Sequence, residues 1–320
     1  MMSIHHQALT TDAASTRRRG KALRDTIPGM LMAAPALLGL IGFVAVPFGV
    51  AVVLSFFNVQ LDSVHPAKFF GITQYARLFT DPIVSGPFFR SLLNNLTFAV
   101  VVVPLQTALA LGLAVLLNRK LRGMPIFRTF FFMPVVFPMA LVAVIWRLIL
   151  DRGDQGLLNS VVHFLSGGLI NAQDWLGSSA TAMASVILLS IWQGVGFQMV
   201  ILLAGLQEIP EERYEAAQLD RANAWKQFTN VTVPGLRNTL IFVLLLTTIL
   251  SFRVYDQVYI LIKTAGMNAD ATRTVLFQAT KTVFDENNLG QAAAITVIFF
   301  VIVVVLTLVQ RRLLRQRSED

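Results

Sequence analysis

Six stretches of the chain carry no charged side chain: Met30–Phe57, Ser91–Asn118, Thr129–Trp146, Trp175–Gln207, Asn238–Phe252 and Asn287–Gln310. A bilayer core about 30 Å thick takes roughly 20 apolar residues in helical form, and these runs approach or exceed that length. Each is flanked by connectors rich in charge, Gly, Pro or Asn. The 320 residues are 55% hydrophobic and 14% charged, with a mean hydropathy of +0.65. Soluble domains usually carry about 25% charged residues, so a soluble globular protein is excluded. The alternation that marks an outer-membrane barrel is missing from the runs. The expected class is an all-α integral membrane protein with six transmembrane helices, at about 29–57, 91–117, 126–149, 178–206, 237–262 and 289–310.

The net charge of +8 does not point to nucleic acid, because the basic residues sit beside the apolar runs instead of forming one patch. Seventeen of the 26 Lys and Arg fall on one side if the N-terminus is cytosolic: Arg17, Arg18, Arg19, Lys21, Arg24, Arg119, Lys120, Arg122, Arg128, Arg213, Arg221, Lys226, Arg237, Arg311, Arg312, Arg315 and Arg317. The positive-inside rule then predicts that both termini are cytosolic. The first run has no small-residue cleavage site after a short core and reads as a retained anchor. With no cysteine, disulfides and thiolate chemistry are excluded; the four histidines are scattered, so no zinc site is expected.

The expected organisation is a cytosolic tail at 1–28, a membrane domain at 29–310 and a second cytosolic tail at 311–320. Pro35, Pro47, Pro134 and Pro138 lie within spans, where neighbouring helices satisfy freed carbonyls. The connector 58–90 mixes aromatic and turn residues, as in Phe79-Thr80-Asp81-Pro82, and suggests short interfacial helices. The most informative connector is the cytosolic loop 207–236. Its stretch 208–234 reads as a helix–turn–helix: Pro210 suits a first turn, Glu211 and Glu212 favour the positive helix end, Ala216-Ala217 offer a close-packing surface, and Pro234 ends the second helix.

That stretch resembles the EAA loop of ABC importer permeases, in which Glu-Ala-Ala, three residues, Gly, and later an aromatic and a Pro form the docking helix for an ATPase subunit. Glu215, Ala216, Ala217, Asp220, Ala222, Phe228 and Pro234 stand at matching positions. Arg221 replaces the family glycine, at a cost of about 1 kcal/mol if the turn needs a left-handed backbone. The resemblance covers nearly the whole chain and is to the maltose-type carbohydrate uptake branch: Met32–Pro35, Pro47, Leu54-Ser55-Phe56, Phe70-Gly71, Tyr75, Ala204-Gly205-Leu206 and Leu289–Ala294 also match, whereas Thr264-Ala265-Gly266 stands where the family has a Gly- and Pro-rich loop. The resemblance implies a permease in the bacterial inner membrane. It pairs with a second homologous permease and two ATPase subunits, and an extracytoplasmic solute-binding protein delivers a sugar-like substrate. The resemblance further implies that ATP and Mg belong to the partner ATPase and that this chain binds no cofactor and is no enzyme. Glu215, Ala216, Ala217, Asp220, Arg221 and Ala222 are the implied ATPase-coupling residues.

Pathway candidates come from the spans. Asn238–Phe252 gives 15 uncharged residues, about 22 Å of helix, which draws Arg253 and Asp256 into the membrane domain. Charges there face a cavity or one another, and at i and i+3 these two equally suit an ion pair. Trp192, Gln193, Tyr255 and Tyr259 offer the aromatic faces and amide that sugars need, or pack in a core. Asn94, Asn95 and Gln106 line a path or bond neighbouring helices. No Gly-x-x-x-x-Gly-Lys-Ser/Thr loop is present, so the chain supplies no P-loop ATPase. The rival reading, a stand-alone secondary transporter, calls for internal repeats and interrupted helices; the sequence displays neither. An intramembrane enzyme lacks its catalytic pairs.

Overall fold

The computed structural model describes residues 30–62, 66–119, 121–153, 156–263 and 269–316. The expected tail at 1–28 and the Thr264–Gly266 loop lie outside the described residues. The helix α1, Met30–Leu54, belongs to a unit of its own. It is apolar on every side and buries none of its residues, as suits a helix whose solvent is lipid. One turn, Ile41–Ala45, is a π-helix.

The second unit begins at Ser55 with a small antiparallel hairpin, β1 (Phe57–Asn58) and β2 (Lys68–Phe69). After α2 (Thr73–Thr80) comes α3 (Pro82–Leu117), 36 residues long and starting nine residues before the expected boundary. The reason is local: Asp81 accepts the Ile83 N–H at 3.1 Å and Pro82 occupies the first turn, so this part of the connector, expected to hold short interfacial helices, caps the long helix.

The third expected span is two helices, α4 (Met124–Val136) and α5 (Met139–Ile149), bent by 98°. Pro138 forces Phe137 out of the helical region, to ψ 137°, and itself donates no hydrogen bond. A further helix, α6 (Leu157–Leu165), precedes α7 (Ala182–Gln207). Then come α8 (Glu211–Leu219), α9 (Ala224–Gly235, with a π-turn at Phe228–Thr232) and α10 (Arg237–Phe252). The expected fifth helix stops at Phe252 and resumes as α11 (Asp256–Val258), continuing in a π-turn Tyr259–Lys263. The connector expected to be loop contains α12 (Val275–Phe284) before α13 (Leu289–Gln316). Among the described residues four helices are long and apolar enough to cross a membrane, or up to six if each bent pair counts as one span. The expectation of uninterrupted spans is thereby corrected.

α3 and α7 pack along each other at the centre of this unit. The small residues Ala110 and Ala114, fully buried one turn apart, bring α3 close to Met199 and Leu202 of α7. Two further clusters flank this seam. One joins Phe98 and Val102 to Val142, Leu189 and Val258; the other joins Phe88 to Val275, Ile295 and Phe299. Gly290 lets the start of α13 press on the hairpin, because a Cβ there would overlap the Phe57 carbonyl. Gln291 donates to the Gln74 carbonyl at 3.1 Å, and Gln74 to the Phe57 carbonyl at 3.3 Å.

Candidate translocation cavity and coupling segment

The break after α10 leaves backbone groups that no helix satisfies, and α3 supplies them. Asn95, fully buried, donates to the Ser251 and Phe252 carbonyls at 3.5 and 3.4 Å and accepts the Val275 N–H at 2.8 Å. Thr274 donates to the Val254 carbonyl at 2.9 Å, and Asn94 to the Arg273 carbonyl at 2.9 Å. In a membrane domain freed backbone groups need such partners, so Asn94 and Asn95 act as staples and do not line the cavity.

Beside this break lies a cavity of about 420 Å³ between α3, α4, α7 and α10. Of the sequence candidates it is lined by Gln106, Gln193, Arg253 and Asp256. Arg253 and Asp256 are exposed to it and form no ion pair, because the chain turns at Arg253–Tyr255 (Tyr255 φ −141°, ψ −56°) and the helical i, i+3 geometry is lost. Gln193 donates to the Phe137 carbonyl at 3.3 Å, the one left at the α4–α5 bend. Trp192 is 42% exposed and packs edge-on against Trp146, with ring centroids 5.7 Å apart, outside the cavity lining. Tyr255 and Tyr259 stack at 5.4 Å against the core cluster and likewise stay out.

Sequence reasoning missed the deepest polar pair of the cavity. Gln198 is 3% exposed and donates to the Thr247 hydroxyl at 2.6 Å, while its carbonyl oxygen has no partner. Ser190, Ser251 and Gln257 join them. The available signal was the cost of an amide within an apolar span. Gly194 completes the wall: a Cβ there would come within 2.5 Å of the Gln106 amide nitrogen, so glycine lets that amide lie on α7.

At the far end of α7 the loop forms a helical elbow. α8 closes with a Schellman motif, in which Ala222 N–H reaches the Ala217 carbonyl and Arg221 N–H the Gln218 carbonyl, both at 2.9 Å. Arg221 sits at φ 55°, the left-handed backbone in which glycine is the unstrained residue. Asn223 then caps α9 by accepting the Lys226 N–H at 2.9 Å. Tyr214 and Thr232 hydroxyls meet at 3.1 Å, and Ile209 seats against Gly235, so the two arms of the elbow are held to each other and to the end of α7. Pro210 stands at the cap of α8, one position before the first turn. Glu215, Ala216, Asp220 and Arg221 are exposed and Ala217 and Ala222 half-buried, while Leu219 and Trp225 are 86% and 69% exposed.

Residues 106–319, which include this elbow and most of the cavity, match the family described as binding-protein-dependent transport system inner membrane component. The chain belongs to that family. The permease is 35% identical over 293 residues to the probable ABC transporter permease YurN of Bacillus subtilis (strain 168), covering 91% of this chain and 97% of the relative. It is 31% identical to the trehalose/maltose transport system permease MalF of Thermococcus litoralis, covering 89% and 93%. A crystal structure of a bacterial ABC transporter involved in alginate import superposes with a TM-score of 0.76 at 18% identity, over 93% of this chain and 99% of that one, and establishes the shared fold. The permease is thus a multi-pass membrane component of an ABC transporter and not its catalytic subunit.

Proposed function

We propose that this permease forms half of the pathway through which a carbohydrate or related solute enters a bacterial cell across the inner membrane. A second homologous permease completes the pathway, two ATPase subunits supply the energy, and an extracytoplasmic binding protein delivers the solute. The observation that carries the reading is the elbow 211–235: a pair of helices at the end of the spans that presents Glu215, Ala216 and two large apolar side chains to solvent. Apolar surface of that kind on a membrane component marks a protein contact, and with the match to the EAA pattern the contact is an ATPase groove. Glu215, Ala216, Ala217, Asp220, Arg221 and Ala222 form the coupling surface. ATP and Mg are bound by the partner.

The polar cavity is the substrate path. Gln106, Gln193, Gln198 and Thr247 provide amide and hydroxyl groups for sugar hydroxyls, and the exposed Arg253 and Asp256 line the same cavity. Relatives named for trehalose/maltose, sulfoquinovosyl glycerol and starch degradation products support the solute class.

The test is solute-stimulated ATP hydrolysis by the co-purified complex in vesicles. Glu215→Lys and Ala217→Leu should assemble poorly or hydrolyse ATP without uptake. Normal coupled uptake in both variants, or uptake by this chain without any ATPase subunit as a secondary transporter would show, overturns the proposal.

A further inference from the structure

The connector between α5 and α7 is too apolar for a loop in water. Residues 155–173 hold no Asp, Glu, Lys or Arg. Within them α6 places Leu157, Val161, Phe164 and Leu165 at helical positions i, i+4, i+7 and i+8, which is one face. These side chains are 60%, 46%, 83% and 76% exposed, and Leu169, just past the helix, is 88% exposed.

The opposite face is tied down, so this orientation is built in. Asn159, 3% exposed, donates to the carbonyls of Asp151, Gly153 and Gln173 at 3.0, 3.3 and 3.1 Å. It accepts the Gln173 N–H at 3.0 Å and the Trp175 indole N–H at 2.7 Å. Gly167 and Gly168, at φ 62° and 84°, end the helix in a Schellman motif and return the chain to α7. A hydrogen-bonded hub on one side and an uncovered apolar stripe on the other describe a helix made to lie on something apolar.

We propose that α6 lies in the boundary between lipid headgroups and acyl chains, with Leu157, Val161, Leu165 and Leu169 inserted as a membrane-surface anchor. Two observations favour lipid as the occupant. The preceding helix α5 likewise carries a row of exposed apolar side chains, namely Leu141, Val144, Ile145 and Leu148, which are 47%, 50%, 48% and 70% exposed. The helix also lies between Ile149, where α5 ends, and Ala182, where the apolar candidate span α7 begins. A soluble partner that binds and leaves would return this stripe to water in every cycle, and the stripe offers no charge to steer such a partner. Lipid covers it permanently, as for other amphipathic surface helices. The anchor would hold the connector beside the α4–α5 bend while the spans rearrange.

The chain has no native cysteine, so single probes are clean. Leu165→Cys, Leu169→Cys and, as a polar-side control, Asn171→Cys would each carry a bimane in the assembled transporter, reconstituted in lipid nanodiscs. Lipids brominated near the headgroup should quench residues 165 and 169 at least about threefold more than 171, and aqueous iodide should show the reverse order. Iodide quenching at 165 and 169 equal to that at 171 would place the stripe in water and overturn the proposal. Protection of both sites from both quenchers would show a protein covering the stripe and overturn it equally.

Discussion

Replacing Asn95 with leucine keeps the side-chain volume roughly constant and removes every hydrogen bond that this residue makes. Three backbone groups then lose their partner in a fully buried site: the Val275 N–H, bonded at 2.8 Å, and the Ser251 and Phe252 carbonyls, which share one amide nitrogen at 3.5 and 3.4 Å. A buried group left unsatisfied costs about 1–3 kcal/mol. The strong Val275 bond counts in full and the two long bonds together count as one, which gives a loss of about 2–6 kcal/mol. The loss falls on the junction of α3, α10 and α12, so it should also loosen the turn that carries Arg253 and Asp256. The assay is thermal unfolding of the purified permease complex in detergent, read by aggregation or by exposure of an introduced cysteine near residue 275. Asn95→Leu should lower the midpoint clearly, whereas Gln106→Leu, on the same helix but facing the cavity, should leave it nearly unchanged. Equal midpoints for Asn95→Leu and the parent would refute the assignment of Asn95 as a staple.

Arg221→Gly should stabilise the elbow by about 1 kcal/mol or less, since relief of the left-handed strain is partly offset by the flexibility of glycine in the unfolded chain; hydrogen exchange at Ala222 reads this, and faster exchange would count against it. Gly196→Ala should prevent accumulation of folded protein, because the new Cβ would overlap the Phe131 carbonyl of α4, a backbone atom that cannot step aside; normal yield in membranes contradicts this. Exchanging Arg253 and Asp256 should impair solute-stimulated ATP hydrolysis while leaving assembly intact, and a double variant that transports like the parent would remove both from the pathway. A cysteine at Ser179 should react with an impermeant thiol reagent in intact cells and one at Ser318 should not; the opposite pattern would invert the topology.

The membrane class and the elbow were legible because both rest on local signals. Charge-free runs and basic flanks need no tertiary information, and the chain 208–234 carries its own caps, although Pro234 does not end the second helix, which runs on to Gly235. Even the strain at Arg221 was readable as a condition, once glycine was expected there. The breaks were less accessible. Pro134 and Pro138 look alike in sequence, yet only Pro138 breaks the span; Pro134 remains inside α4. The signal Asp81-Pro82 is visible, but the span it caps contains Arg90 and so does not show in the length of an uncharged run. α12 carries Lys281 and Gln278, which hides a buried helix from a hydropathy reading. In the cavity, facing depends on how each helix is rotated about its axis. Single residues such as Trp192 and Gln193 are adjacent in sequence but point to different neighbours, so one lines the space and the other packs on Trp146.

The central claim is that the exposed elbow is the seat of an ATPase subunit. A photoreactive amino acid at Leu219, the most exposed apolar side chain of α8, should give a covalent adduct with the ATPase subunit in the intact transporter, while the same group at Leu188, 50% exposed on the span α7, should give none. Failure to capture the ATPase at Leu219 in a complex that still hydrolyses ATP on addition of solute would contradict the account.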